Sequence, residues 1–150
     1  MQRFDALLDS NVIIAMVAEG HEHPVASAAL MEGQAKRFAV AAHSYAEAYT
    51  TLTRKSAGAP FQWSSEDAWA TLQSVAAATG LVGLSPAQTF DTIRSYAENG
   101  GIGARLYDRL IGQIAVQYGI SRIITWNISH MRGLFPMLDI QAPATREELG

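Results

Sequence analysis

Cysteine is absent from the 150-residue chain. That excludes a disulfide framework and any cysteine-ligated zinc site, and it suits a reducing compartment. Charge is sparse as well: charged residues make up 17%, the formal net charge is −3 and the pI is near 5.7. A protein that grips nucleic acid by charge alone is usually strongly basic, so a general nucleic-acid coat is disfavoured. Any such contact would need a local offset, from a bound divalent cation or a few placed arginines. Long apolar runs are missing too. Residues 12–18 form the longest relevant one, far too short to cross a bilayer, and behind Arg3 the acids Asp5 and Asp9 interrupt any signal-like stretch. The expectation is a soluble, cytoplasmic protein with no membrane association. Repeats, low-complexity tracts and linkers are also lacking, and the length suits a single domain over residues 1–150 with a real core.

What the chain does contain is an alternation of short apolar runs with helical stretches. Strands are expected over residues 4–8, 37–42, 81–84, 122–126 and, as a fifth, 137–140. A helix is expected from Val12 to Ala18, capped by Ser10 or Asn11 and interrupted by Gly20 and the His21-Glu22-His23 stretch. A second opens on Pro24 and runs to Met31. Further helices follow over 44–54, from Ser64 or Ser65 to Gly80, from the Ser85-Pro86 pair to about Ala97, and over 104–118, where Gly119 ends it. Tyr107, Leu110, Ile111, Ile114, Ala115 and Tyr118 form the apolar stripe of that last helix. Residues 99–103, rich in glycine, read as a loop. Phe61 and Trp63, in a loop, suggest an exposed apolar patch. Strands alternating with helices imply an α/β fold with a mainly parallel sheet of four to five strands flanked by helices. In such open sheets ligands bind outside the carboxyl ends of the strands. Asp9 and Asn127 directly follow strands. Glu47 and Asp108 fall in the first turns of helices that start at the same edge.

Each acid has a plain structural alternative. Glu47 stands three residues after Ser44, the spacing of a capping box. Asp108 sits at the edge of an apolar stripe, as a helix-dipole partner or an ion-pair partner of Arg105 or Arg109. Asp9 suits an Asx-turn between strand and helix. Taken together, clustered carboxylates without cysteine suit a hard cation, Mg²⁺ or in its place Mn²⁺. Such an ion supports water activation and phosphoryl chemistry. The histidines add little: His21 and His23 read as part of a solvated loop, and His43 and His130 are single residues with no metal partner at fixed spacing. Ser10 lacks the Gly-x-Ser-x-Gly surroundings of a hydrolase nucleophile.

The stretch Leu7-Leu8-Asp9-Ser10-Asn11-Val12-Ile13-Ile14 resembles the opening of PIN domains. Ser44-Tyr45-Ala46-Glu47 resembles their second acidic position, and Leu106-Tyr107-Asp108-Arg109-Leu110-Ile111-Gly112-Gln113-Ile114-Ala115 their third. Ile123-Ile124-Thr125-Trp126-Asn127 with His130 resembles their last motif. Order and spacing agree over nearly the whole chain, and the size and motif style are similar to VapC-like toxins of bacterial toxin–antitoxin pairs. The resemblance implies a PIN fold, a Mg²⁺- or Mn²⁺-dependent endoribonuclease cutting a defined tRNA or ribosomal RNA, an inhibiting antitoxin and a homodimer. It implies that Asp9 and Asp108 are the main metal ligands, that Glu47 completes the acidic site or orients a metal-bound water, and that Asn11 holds the active-site turn. Asn127 stands where many relatives carry aspartate, so a charge is missing from the catalytic set. Arg105 and Arg109 beside Asp108, with Arg54 and Lys55, are the cations that would meet RNA, arginine by bidentate contact. Two rival readings remain. One is a PIN-like binding module whose catalysis has decayed, which Asn127 favours. The other is a phosphatase with Asp9 as nucleophile, which the haloacid-dehalogenase pattern disfavours because Asn11 replaces its second aspartate.

Overall fold

Among the described residues five short strands order the molecule: β1 (Ala6–Leu8), β2 (Phe38–Ala41), β3 (Gly80–Val82), β4 (Arg122–Ile124) and β5 (Asp139–Gln141). They form one sheet in the order β3-β2-β1-β4-β5, and every pairing is parallel. This computed structural model describes residues 3–22 and 37–143, the side chains of 18–22 apart. The expected helix from Pro24 to Met31 and the residue His23 lie outside the described residues.

Parallel neighbours need crossovers, usually helical. Among the described residues these are α1 (Ser10–Glu22), α2 (Ala42–Thr53), α3 (Ser65–Ala78), α4 (Pro86–Glu98), α5 (Arg105–Tyr118) and α6 (Ile128–Leu134). Successive strand residues point to opposite faces, and here both faces are buried. Ala6, Leu8, Val40 and Ile124 pack with Val12 and Ile13 of α1, Ala48 and Leu52 of α2, and Leu72 and Val75 of α3. Leu7, Ala39, Ala41 and Ile123 pack on the other side with Ile111 and Ile114 of α5 and with Met131 and Phe135 of α6. Gly112 of α5 offers the bare backbone on which the Phe135 ring rests; a Cβ there would collide with that ring. None of the described helices is long and apolar enough to cross a membrane.

Several elements differ from the sequence expectation. Helix α1 continues through Gly20 to Glu22; a single interior glycine costs only about 1 kcal/mol. It also starts at Ser10, so Ser10 and Asn11 lie inside it and not at its cap. Helix α2 begins at Ala42, directly after β2, with no side-chain cap. Ser44 is therefore an interior residue, its Oγ buried without a hydrogen-bond partner, and the Ser44–Glu47 capping box does not form. Glu47 consequently sits in the second turn of α2, not its first. The expected capping box at Ser85 is present, Gln88 completing it. Helix α6 was not expected: it is seven residues long and mixes Ser129, His130 and Arg132 with its apolar positions. Phe61 and Trp63 are no exposed patch, because both are partly buried against the core. Tyr107 and Tyr118, expected on the apolar stripe of α5, stay largely exposed.

The strand order places a reversal at the centre of the sheet. From β1 the chain moves outward through β2 and β3, then returns across to β4 on β1's other side. The carboxyl ends of β1 and β4 thus flank a crevice of the kind in which open α/β sheets bind ligands.

Candidate active site

Asp9 is the first residue beyond β1. Its backbone N–H donates to the Ile124 carbonyl at 3.0 Å, which ties it to the end of β4. The side chain is only 4% exposed. Its Oδ1 accepts from the Ser10 N–H at 2.7 Å, and its Oδ2 accepts from the Thr125 hydroxyl at 2.9 Å. The Ser10 contact is the short-range turn bond expected of an aspartate at a strand-to-helix junction. Burial raises the Asp9 carboxyl above its ordinary range, the bonds from Thr125 and Ser10 pull against that rise, and the nearby Asp108 charge adds to it.

Thr125 ties together the residues around Asp9. Wholly buried, its Oγ1 also accepts from Asn11 Nδ2 at 3.2 Å and from the Asn127 N–H at 3.0 Å. Asn11 in turn accepts the Trp126 N–H on its Oδ1 at 3.1 Å. One turn of α1 is thereby laced to the segment after β4.

Asp108 lies in the first turn of α5. Its Oδ2 accepts from Asn127 Nδ2 at 3.0 Å and from His130 Nδ1 at 2.6 Å. Asn127 precedes α6 as its N-cap position, and His130 is in that helix's first turn. Both donors converge on one oxygen, which leaves Oδ1 to other partners. The expected ion pair with Arg105 or Arg109 does not form. Arg105 is exposed at the start of α5. Arg109 turns away: its guanidinium lies 5.5 Å over the Phe135 ring. It also lines a cavity of about 250 Å³ with Gln88, Asp91, Thr92, Ser95 and Gln113. Arg54 and Lys55 follow the end of α2, both exposed, roughly 10 Å along the axis from Glu47 at 1.5 Å per residue.

Glu47 completes the group. Its carboxyl is pushed up to about 7, first by burial and then by the charges of Asp9 and Asp108. Those two influences place all three carboxylates within electrostatic reach of one another. His43 stands beside Glu47, one turn earlier on α2, with Nε2 at 3.7 Å from Oε1. Burial lowers the pKa of that imidazole, so it is a neutral neighbour near pH 7 and offers no counter-charge.

Sequence reasoning left Thr125 and His130 out of the set. Thr125 carried a signal, a lone hydroxyl at the end of an apolar strand, where a buried polar group needs partners. His130 carried one in the last motif, but its seat beside Asp108 depends on α6, where helical spacing puts it one turn from Asn127 on the same side.

The donor set can be weighed against a cation. Asp9 and Glu47 are both raised, by burial and by neighbouring carboxylate charge, and among the described residues neither forms an ion pair with a lysine or arginine, which is what a missing positive charge leaves behind. Among the described residues, no three His, Asp or Glu side chains sit close enough to enclose an ion by themselves. The arrangement fits an ion that keeps most of its waters and takes one or two carboxylates, as Mg²⁺ does.

The PIN domain family matches residues 6–128. No curated protein sequence matches the chain. Among solved structures it is similar to a chain of VapBC2 from Rickettsia felis bound to a DNA fragment from their promoter, at 20% identity and TM-score 0.61, covering 91% of this chain and 97% of that one. VapBC-1 from nontypeable Haemophilus influenzae matches at 13% identity and TM-score 0.59, covering 91% and 96%. VapC20 of Mycobacterium tuberculosis, a sarcin–ricin loop cleaving toxin, matches at 12% identity and TM-score 0.54, covering 79% and 86%. At these identities the likeness is one of fold.

Proposed function

The chain belongs to the PIN domain family, and from that premise we propose that it is a metal-dependent endoribonuclease, the toxin of a toxin–antitoxin pair. The observation that carries the reading is the placing of Asp9, Glu47 and Asp108 within electrostatic reach of one another beside the carboxyl ends of β1 and β4, where burial and neighbouring carboxylate charge raise Asp9 and Glu47 and, among the described residues, no lysine or arginine pairs with any of the three. Asp9 and Asp108 would hold Mg²⁺ or Mn²⁺, with Glu47 completing the acidic set. A bound ion of this kind supplies an activated water and neutralises charge on the reacting phosphate. The protein's own part is to fix the ligands. Thr125 and Ser10 lock the Asp9 carboxylate, Asn127 and His130 lock Asp108, and Asn11 holds the turn between them. Arg105, Arg54 and Lys55 are exposed cations for an RNA backbone. Arg109, engaged over Phe135, is the weakest of the four for that task.

The toxin assignment draws on the fold shared with solved VapBC structures and with a sarcin–ricin loop cleaving VapC. It implies a cognate antitoxin and a cytoplasmic RNA target. A homodimer is in keeping with Phe90 and Ile93, apolar and exposed one turn apart on α4. A second reading, a binding module that has lost catalysis, is favoured by Asn127, which meets Asp108 as an amide donor and contributes no charge.

The test is incubation of the purified protein with total cellular RNA, in Mg²⁺, in Mn²⁺ and in EDTA, beside Asp9→Asn. Discrete products that need the metal and disappear in the variant are expected. A folded protein that cuts nothing under either metal sinks the nuclease reading in favour of the binding module.

A further inference from the structure

One aromatic pair at the rim of the acidic cluster has no part in the roles given above. The rings of His43 and Tyr107 stack with centroids 6.1 Å apart and an interplanar angle of 27°, an offset arrangement within the favoured range. His43 stands one turn before Glu47 on α2, its Nε2 3.7 Å from the Glu47 carboxylate. Tyr107 immediately precedes Asp108 on α5. The pair therefore bridges the two helices that carry these acids, with His43 one turn before Glu47 and Tyr107 beside Asp108.

The exposure of the two rings is unequal. His43 is largely covered, whereas Tyr107 is 46% exposed. Its ring thus rests on a supported surface and presents much of its area to solvent. Aromatic area left open beside a phosphate-handling site is what an unpaired base uses, since every base has a π-face and stacking tolerates any sequence. In a duplex the bases are already stacked on one another and that surface is closed to a side chain. We propose that Tyr107, backed by His43, is the platform on which an unpaired base next to the reacting phosphate stacks. The inference rests on the ribonuclease reading of the same cluster.

The experiment measures binding without cleavage. In an Asp9→Asn background with Mg²⁺, fluorescence anisotropy gives the Kd of a short labelled oligoriboadenylate and of a ribose-phosphate chain of equal length without bases. Adding Tyr107→Ala should raise the Kd for the oligoadenylate about 5- to 150-fold, the range that loss of one base–aromatic stack gives, and leave the Kd of the base-free chain unchanged. Tyr107→Phe and Tyr107→Trp should restore the difference, and Tyr107→Leu, which keeps apolar bulk, should not. Equal weakening on both probes, no weakening on either, rescue by leucine, or failure of the parent to prefer the oligoadenylate each overturns the platform. The two readings fail separately. A protein that cuts cellular RNA with metal yet ignores Tyr107→Ala loses only the platform. One that cuts nothing but discriminates the probes through Tyr107 keeps the platform and loses the nuclease.

Discussion

Replacing Glu47 by glutamine should stabilise the metal-free protein while it disables the metal-bound one. The Glu47 carboxyl, ordinarily near 4.5, is pushed up to about 7 by burial and by Asp9 and Asp108. Between those values the unfolded chain has released the proton and the folded one keeps it, so stability falls as pH rises through this window. The full shift would correspond to about 3 kcal/mol. The side chain is 31% exposed, and solvent screening brings the figure to about 1–2 kcal/mol. Glutamine removes the charge and with it that loss. In EDTA near pH 8, Glu47→Gln should melt roughly 3–6 °C above the parent, and near pH 5 the two should coincide. His43, whose pKa is lowered by burial, gives an opposing slope in both proteins. Saturating Mn²⁺ near pH 8 should reverse the order, because the parent gains more from the ion than the variant does. Calorimetric melts across pH provide the measurement. A difference between parent and variant that does not change with pH would refute the reasoning, since it would mean that neither burial nor the neighbouring charges raise the Glu47 carboxyl.

Gly112→Ala should destabilise the fold, because the added methyl meets the Phe135 ring: overpacking costs about 1–3 kcal/mol against a helix-propensity gain of about 1 kcal/mol, and urea titration reads the net loss. Asn127→Asp should tighten Mn²⁺ binding by about tenfold or more, as another negative charge near the ion outweighs its own desolvation. Isothermal titration decides it, and unchanged affinity would place residue 127 outside the ion's surroundings.

Much of the frame was legible in the sequence. Strands buried on both faces read as short apolar runs, and the periodicity of α5 was plain over Leu110, Ile111, Ile114 and Ala115. Asp9 and Asn127 could be placed at the sheet's carboxyl edge from the strands before them. The start of α2 could not, because β2 passes into it without a turn and a capped start at Ser44 looked better than the bare one at Ala42. Helix α6 was hidden by its brevity, and with it the seat of His130. The direction of Arg109 was hidden too: only the packed structure shows Phe135 beneath its guanidinium. The loop aromatics Phe61 and Trp63 find the core through tertiary contacts that no local pattern announces.

The bond from Thr125 to Asp9 joins residues 116 positions apart, and strand β4 seats beside β1 across the same interval. At synthesis rates of about 5–20 residues per second, the first acid leaves the ribosome many seconds before the hydroxyl that locks it. Until then Asp9 lacks Thr125, and Asp108 lacks both Asn127 and His130. A nascent or truncated chain therefore carries the acids without the geometry. Under the nuclease reading, the protein is harmless to the machinery making it until its last third has emerged.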